Sequence, residues 1–309
     1  MISLDNTYNE EDLFDFDKRI KWNLWFKDEI YWKKNFFHLQ IFEQWWEEYI
    51  LEFKFDWLWV ELIYKSWDLI QAITRGNWIE WEDITENILQ LENIPKKIKY
   101  TDDLEVRWEV VMPISSFKEL NKKREKSWEN LFSNPRNAAS WSLRTLDINI
   151  TKERKLKFFA YDLANFEEFR IKEKKDKYFD VIKDLEELWF EISSYFKACN
   201  WVSELIKEID NFWNVKKQID FEIDWLVIKV NDISLWSIIW STEHHPRYAI
   251  AYKFPAELIT TKVLSIEHSV GRTWTITPVA NLEAVNIWWV VVKRASLHNY
   301  DEIKNKDVK

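Results

Sequence analysis

The chain has 309 residues, long enough for one large domain or two smaller ones, and carries 44 Lys+Arg against 53 Asp+Glu for a net charge of −9. That balance excludes nucleic-acid binding by bulk positive charge, and a single cysteine, Cys199, excludes a disulfide framework or a thiolate zinc site and suits a reducing cytoplasm. No apolar run is long enough to span a bilayer and no signal peptide is evident, so no membrane partner is expected.

The composition has one anomaly: 22 Trp and only two Gly. Glycine normally supplies about 7% of a protein. Together the two residue types fill roughly that quota, as though Trp stands where the backbone asks for Gly.

In chain order, residues 1–50 are acidic, aromatic and helical in pattern. From Ile50 the text turns to alternating strand-like segments: Ile50–Phe55, Leu58–Tyr64, Leu69–Thr74 and Glu105–Met112. Lys65-Ser66-Trp67-Asp68 lies where a tight hairpin would need φ > 0. A lysine-rich helix is predicted over Ser116–Leu131, ahead of Asn134-Pro135-Arg136-Asn137, and a strand over Lys157–Tyr161. Asp176–Leu188 reads as a helix, with Phe179, Ile182, Leu185 and Leu188 on one stripe and Trp189 in the C′ position. Val202–Phe212 reads as another, with Trp213 placed likewise. Strands follow at Glu222–Val230 and Ala249–Phe254. Beyond Pro255 the text is β in flavour, with candidate strands at Ile266–Val270, Thr275–Val279 and Val290–Arg294.

This pattern is α+β over 1–255 with a small β unit over 256–309. The basic runs Lys152–Lys157 and Arg170–Lys177 read as solvated surface, and the five histidines show no ligand spacing; His244-His245 reads as a solvated or core pair. The placement of Trp at C′ and turn positions supports misread glycine codons, such as a reassigned UGA, over a genuinely Trp-rich protein.

Lys54-Phe55-Asp56-Trp57 is the segment that bears chemistry. Alone, a Lys-x-Asp on a strand is also what a surface lysine looks like. With Gly at 57 it becomes Lys-x-Asp-Gly, the motif of enzymes that form a lysyl-nucleotide. Such a nucleophile needs an unprotonated amine, favoured by neighbouring cations that also hold the phosphate under attack.

With Gly read for Trp, the remaining motifs resemble the NAD-dependent bacterial DNA ligases. Thr74-Arg75-Gly76-Asn77-Trp78 through Glu82-Asp83-Ile84-Thr85 is similar to TRGDG…GEDIT, and Glu105–Val110 to EVRGEV. Asn134–Arg144 is similar to NPRNAAAGSLR and Glu222–Asn231 to EIDGVVIKVN. His245–Pro255 resembles the last nucleotidyltransferase motif, and Gly271–Ala280 is similar to GRTGTITPVA. Both remaining glycines, Gly76 and Gly271, stand where that family has glycine.

The resemblance implies a nucleotidyltransferase (ATP-grasp-like ligase) fold of antiparallel sheets flanked by helices, followed by a partial OB-fold β-barrel. It implies NAD as adenylyl donor, magnesium as cofactor, nicked double-stranded DNA as partner, and a cytoplasmic monomer. Lys54 would attack the adenylyl phosphate, and the AMP would pass to a DNA 5′-phosphate before a 3′-hydroxyl displaces it. Glu52 and Lys229 would read the adenine edge and Tyr161 would stack on the base. Glu109 would meet the ribose or a metal-bound water, and Arg75 would lie near the nucleoside. Lys253 would neutralise phosphate, and Arg136 and Arg144 would engage nucleotide or DNA phosphate. Ser3 and Leu4, in Ser3-Leu4-Asp5-Asn6, would reach the adenine side. Asp56 and Asp224 complete the two Asp-Gly-like phrases. Glu109 and Asp224 also read as strand-surface carboxylates, and Arg144 as a helix cap.

The text starts at the SLDN-like segment and stops early in the OB-fold. The family's small N-terminal domain and its zinc finger, helix-hairpin-helix and BRCT modules are therefore expected to be missing, and zinc with them. A lysyl-nucleotidyl transferase using ATP, or an inactive remnant, are the alternatives. A core truncated in this way is expected to carry AMP but to react poorly with NAD and to seal nicks poorly or not at all, and the polypeptide with Trp as written is expected to be inactive.

Overall fold

The computed structural model describes residues 4–32, 48–55, 58–74, 81–239, 245–254, 259–270, 276–287 and 290–305. Two compact units divide them: Met1–Leu131 with Pro135–Phe254, and Phe132–Asn134 with Pro255–Lys309.

In chain order the first unit runs β1 (Asp5–Thr7), α1 (Glu10–Trp32), β2 (Tyr49–Lys54), β3 (Leu58–Lys65), β4 (Asp68–Thr74), β5 (Glu82–Asp83), α2 (Thr85–Ile88), β6 (Leu104–Val111) and α3 (Ile114–Lys126). It continues with α4 (Pro135–Arg144), α5 (Ile148–Glu153), β7 (Lys157–Leu163), α6 (Phe166–Lys172), α7 (Tyr178–Glu187), β8 (Phe196–Cys199), α8 (Val202–Lys216), β9 (Trp225–Val230), α9 (Trp236–Ile239) and β10 (Ala249–Lys253). The second unit holds β11 (Val263–Val270), β12 (Ile276–Ile287), β13 (Val290–Ser296) and α10 (Tyr300–Asn305).

Two five-stranded sheets make the first unit, ordered β1-β10-β9-β2-β8 and β5-β4-β3-β6-β7. Every pairing in them is antiparallel except β1 with β10. β2 is an interior, almost wholly buried strand of the first sheet, between β9 and β8. Because side chains alternate faces, Phe53 points one way into a cluster with Tyr195, Phe212 and Phe221, while Ile50, Glu52 and Lys54 share the other face. Helix α1 buries Leu13, Phe16 and Ile20, and α8 buries Leu205, Ile209 and Phe212, one stripe each at helical spacing. In the second sheet the buried alternation of β3 (Val60, Leu62, Tyr64) meets that of β6 (Trp108, Val106, Leu104) in direct register. Stacking of Phe55 on Phe159, centroids 5.0 Å apart, closes the core between the two sheets.

Among the described residues, three tryptophans hold left-handed backbone. Ser66 and Trp67, φ 45° and 86°, make the β3–β4 hairpin turn, where paired positive φ values match the strand twist. Trp128, φ 58°, ends α3: the Glu129 N–H donates to the Arg124 carbonyl and the Trp128 N–H to that of Glu125. Trp189, φ 72°, ends α7 in the same way, with the Phe190 N–H on the Leu185 carbonyl and the Trp189 N–H on that of Glu186. Both are Schellman caps, whose C′ residue is usually glycine. Lys174, φ 53°, makes such a cap after α6 without being Trp or Gly.

Three expectations change. Trp213 is not a C′ residue, because α8 continues through it to Lys216 and its indole packs on Phe254 at 5.0 Å. The lysine-rich helix stops at Lys126 instead of Leu131, since Trp128 turns the chain out of the helix. The tail is not β throughout, as α10 closes it.

The second unit is a three-stranded antiparallel sheet, β11-β12-β13, not a closed barrel.

Candidate active site

One buried-to-half-buried face of the first sheet gathers charged residues singled out in the sequence. Lys54 on β2, Trp225 on β9 and Lys253 on β10 stand in register across three neighbouring strands, so their side chains share one face. The Lys54 amine lies 3.9 Å from the Asp224 carboxylate, and the Asp224 N–H donates to the Lys54 carbonyl at 3.2 Å. The Lys253 amine sits over the Trp225 ring, 4.7 Å from its centroid, and 5.9 Å from that of Tyr8.

Two residues back along β2, on the same face, Glu52 is 6% exposed and forms an ion pair with Lys229 at 2.7 Å. Burial pushes the Glu52 carboxyl above its ordinary range, although the Lys229 ammonium and the Tyr178 hydroxyl both pull it down. A buried pair of this kind adds little stability beyond its desolvation cost. Its value is directional: it fixes an acceptor and a donor at one spot.

The second sheet supplies the other wall. Tyr161 on β7 is reached through its carbonyl, which accepts from the Tyr178 hydroxyl at 2.9 Å. Burial, then the carboxylates of Glu109 and Asp162, push the Tyr161 phenol well up, which locates Glu109 on β6 beside it. Asp162 is held by Arg107 at 2.9 Å, and Arg107 also faces Glu61 at 3.7 Å. Burial works against the Arg107 guanidinium, but Asp162, Tyr161 and Glu61 together raise its pKa.

Thus Glu52, Lys54, Asp224, Lys229, Lys253, Tyr161 and Glu109 come together along adjoining strand ends. Leu4 precedes β1, whose Asp5 pairs with Ile250 of β10. Arg136 and Arg144 lie on α4, which packs on β3 and β6 and not on the strand of Lys54. Arg144 meets Glu82 at 2.6 Å, and the same Glu82 oxygen accepts from the Thr74 hydroxyl at 3.1 Å. Ser3, Asp56 and Arg75 lie outside the described residues, as do Trp57, His38 and His244. Among the described residues no group of three or more His, Cys, Asp or Glu is arranged to hold a metal ion. The residue that sequence reasoning missed is Tyr178, whose hydroxyl accepts from Lys229 and lies within hydrogen-bond reach of both Glu52 and the Tyr161 carbonyl. A buried tyrosine opening a helix carries no spacing signal that separates it from core.

Frame and site together define an adenylation domain followed by an OB-fold domain. The NAD-dependent DNA ligase adenylation domain model matches residues 1–257 and the NAD-dependent DNA ligase OB-fold domain model residues 260–309. The chain belongs to the NAD-dependent DNA ligase family. DNA ligases of Bacillus cereus (strain ATCC 10987 / NRS 248) and Bacillus thuringiensis (strain Al Hakam) are each 40% identical to it over 309 residues, 100% of this chain and 43% of theirs. The chain therefore spans less than half the length of these relatives. A solved structure titled Pmar-Lig_Pre aligns over 88% of this chain and 58% of its own, at 12% identity and a TM-score of 0.48.

Proposed function

We propose that this chain is the adenylyl-transferring core of an NAD-dependent DNA ligase, with residues 1–255 carrying the lysine and 256–309 beginning the OB-fold. The observation that carries the reading is the shared register of Lys54, Trp225 and Lys253 beside the Glu52–Lys229 pair.

Lys54 Nζ supplies the electron pair that forms a bond to the adenylyl phosphorus of NAD. The phosphorus–oxygen bond to nicotinamide mononucleotide breaks, and the amine proton is released. Asp224 orients that amine, and Lys253 stabilises the negative charge as it develops on phosphate. Glu52 and Lys229 bind the base edge, Tyr161 stacks against the base and Glu109 meets the ribose. Arg75, Arg136, Arg144, Ser3, Leu4 and Asp56 contribute as the family resemblance implies. The adenylyl group then moves to a 5′-phosphate at a nick in double-stranded DNA, freeing the lysine, and the 3′-hydroxyl attacks that 5′-phosphate, breaking its link to AMP, which leaves as the strand is sealed.

The base end suits adenosine, since donor and acceptor are already fixed there. The phosphate end does not: the Trp225 indole covers the strand between the two lysines. Glycine at 225 would bare that backbone, which supports the reading of Trp as misread Gly and favours an inactive chain as written. Glu109, a single carboxylate, suits magnesium held mainly by water and substrate phosphate, where the ion would neutralise phosphate charge. No helix of the described residues is long and apolar enough to cross a membrane. A cytoplasmic monomer accords with this reading.

The test is incubation with magnesium and NAD labelled in its adenylyl phosphate, using a Trp57→Gly, Trp225→Gly chain. The expected result is label on the peptide containing Lys54, absent when Lys54→Met is added. A glycine-restored chain that folds and takes no label overturns the reading.

A further inference from the structure

Tyr178 stands outside every sequence motif, yet it is the hub of the base-reading corner. Its place is set by backbone. The Tyr178 N–H donates to the Asn231 carbonyl and the Phe179 N–H to Asn231 Oδ1, both at 2.8 Å, so the first turn of α7 hangs from the end of β9. The ring is fully buried between Phe166, Phe196 and Trp236, with centroids 5.7–6.3 Å away. Close packing of this kind restrains the side chain.

The hydroxyl then lies 2.6 Å from Lys229 Nζ, 2.9 Å from the Tyr161 carbonyl, and 3.2 and 3.5 Å from the two Glu52 oxygens. A phenol has one proton to give and two lone pairs, and an ammonium can only donate. Tyr178 therefore accepts from Lys229 and gives its own proton to Tyr161 or to Glu52. The Lys229 ammonium also lies over the Tyr178 ring, 4.1 Å from its centroid. Of the three N–H groups of Lys229, one is committed to Glu52 at 2.7 Å and one to Tyr178, leaving the third a defined direction. Lys229 holds one Glu52 oxygen at 2.7 Å and the Tyr178 oxygen lies 3.2 Å from the other, so the carboxylate is held through Lys229 and confined by Tyr178.

One acceptor and one donor with fixed headings complement the amine and adjacent ring nitrogen of a 6-aminopurine. We propose that Tyr178 is the positioning residue that sets the selectivity of this corner for a 6-aminopurine, by locking the rotation of both Glu52 and Lys229. The inference rests on the assignment of Glu52 and Lys229 to the base edge.

The experiment compares the binding of adenosine and of purine riboside, which lacks the 6-amino group, to the 309-residue chain by titration calorimetry. Neither ligand has a phosphate, so the Trp225 indole does not enter. The parent should prefer adenosine by about tenfold, the scale of one hydrogen bond to a charged group, and Tyr178→Phe should bring that preference to about twofold or less while purine riboside binds as before. A merely structural role would weaken both ligands together and leave their ratio intact. Thermal unfolding reports whether the Phe variant folds, and Tyr178→His, which offers an acceptor nitrogen to Lys229, should recover most of the ratio. A folded Phe variant that keeps the parental ratio, or a folded His variant that loses it, overturns the proposal. A parent chain indifferent to the amino group overturns this proposal and the base-edge assignment together. A discriminating parent whose glycine-restored form takes no label from NAD contradicts only the transfer function.

Discussion

Lys54 and Lys253 are each paired in register with Trp225, the indole standing on the strand between them. Two lysines one strand apart from a common neighbour would hold a phosphate group between them, and in this chain an aromatic ring holds that position. Trp225→Gly should therefore raise the yield of adenylylated chain from NAD by tenfold or more, about 1.4 kcal/mol at the transition state, read by intact mass. Equal yields before and after the substitution would show that the indole does not obstruct.

The proposed roles of Lys54 as nucleophile and of Lys253 as phosphate-neutralising lysine should separate in the same assay. Lys54→Met should abolish the covalent adduct, because it removes the amine that stands 3.9 Å from Asp224. Lys253→Met leaves the nucleophile intact and should slow adduct formation by about a hundredfold, the scale for loss of one charge-stabilising donor. A Lys253→Met chain labelled at the parental rate would remove that lysine from the transfer step.

Backbone strain gives a second, activity-free readout. Trp67 and Trp128 hold φ at 86° and 58°, and their side chains are mostly exposed, Trp128 at 97%. Glycine at either position should stabilise the chain by about 0.5–1 kcal/mol, the left-handed penalty less the greater freedom of glycine when unfolded. Trp213 lies within α8 and packs on Phe254, so Trp213→Gly should cost about 2 kcal/mol from lost helix propensity and apolar contact. Denaturant midpoints test the opposition of sign. If all three substitutions shift stability alike, strain is not what distinguishes these tryptophans.

The acidic phrase Glu82-Asp83-Ile84-Thr85 makes its own pH prediction. The Thr85 hydroxyl, at 2.6 Å, and the Thr85 amide, at 2.9 Å, hold the Asp83 carboxyl below its ordinary value of 3.8. A carboxyl depressed in the folded state stabilises it above that ordinary value, and the contribution is lost as pH falls through the folded one. Thr85→Val should lower the melting temperature at pH 7 by a few degrees, and the Asp83-dependent share of that deficit should fade below about pH 4. Melting curves from pH 3 to 7 decide it, and a deficit that grows toward acid would contradict the assignment.

Much of the site was legible because strands impose a period of two. Once β2, β9 and β10 are read as strands, Glu52 with Lys54, Trp225 with Lys229, and Ala251 with Lys253 must each share a face. Which strands lie side by side could not be read that way, since the chain separates β2 from β9 by some 170 residues and orders them through β8 and β10. The short helices α4, α5 and α6 were missed for a different reason. Local caps and tertiary bonds hold them: the Asp147 carboxylate on the Asn149 N–H, and the Thr151 hydroxyl on the Ser142 carbonyl. Trp213 misled because its sequence context resembles that of Trp189, and only packing on Phe254 tells the two apart. Trp108 is a separate case: its fully buried indole is accommodated against Phe158 and Phe190, yet its N–H finds no acceptor, a cost of about 1–3 kcal/mol.

The amines on β2 and β10 are spaced by backbone ladders, with one intervening strand setting a separation of about 10 Å between their main chains. No hinge or mobile loop sets that gauge. Lengthening or shortening the surface connections would leave it unaltered, whereas a one-residue slip of β9 against either neighbour would turn its side chains to the opposite side and dismantle the cradle at a stroke.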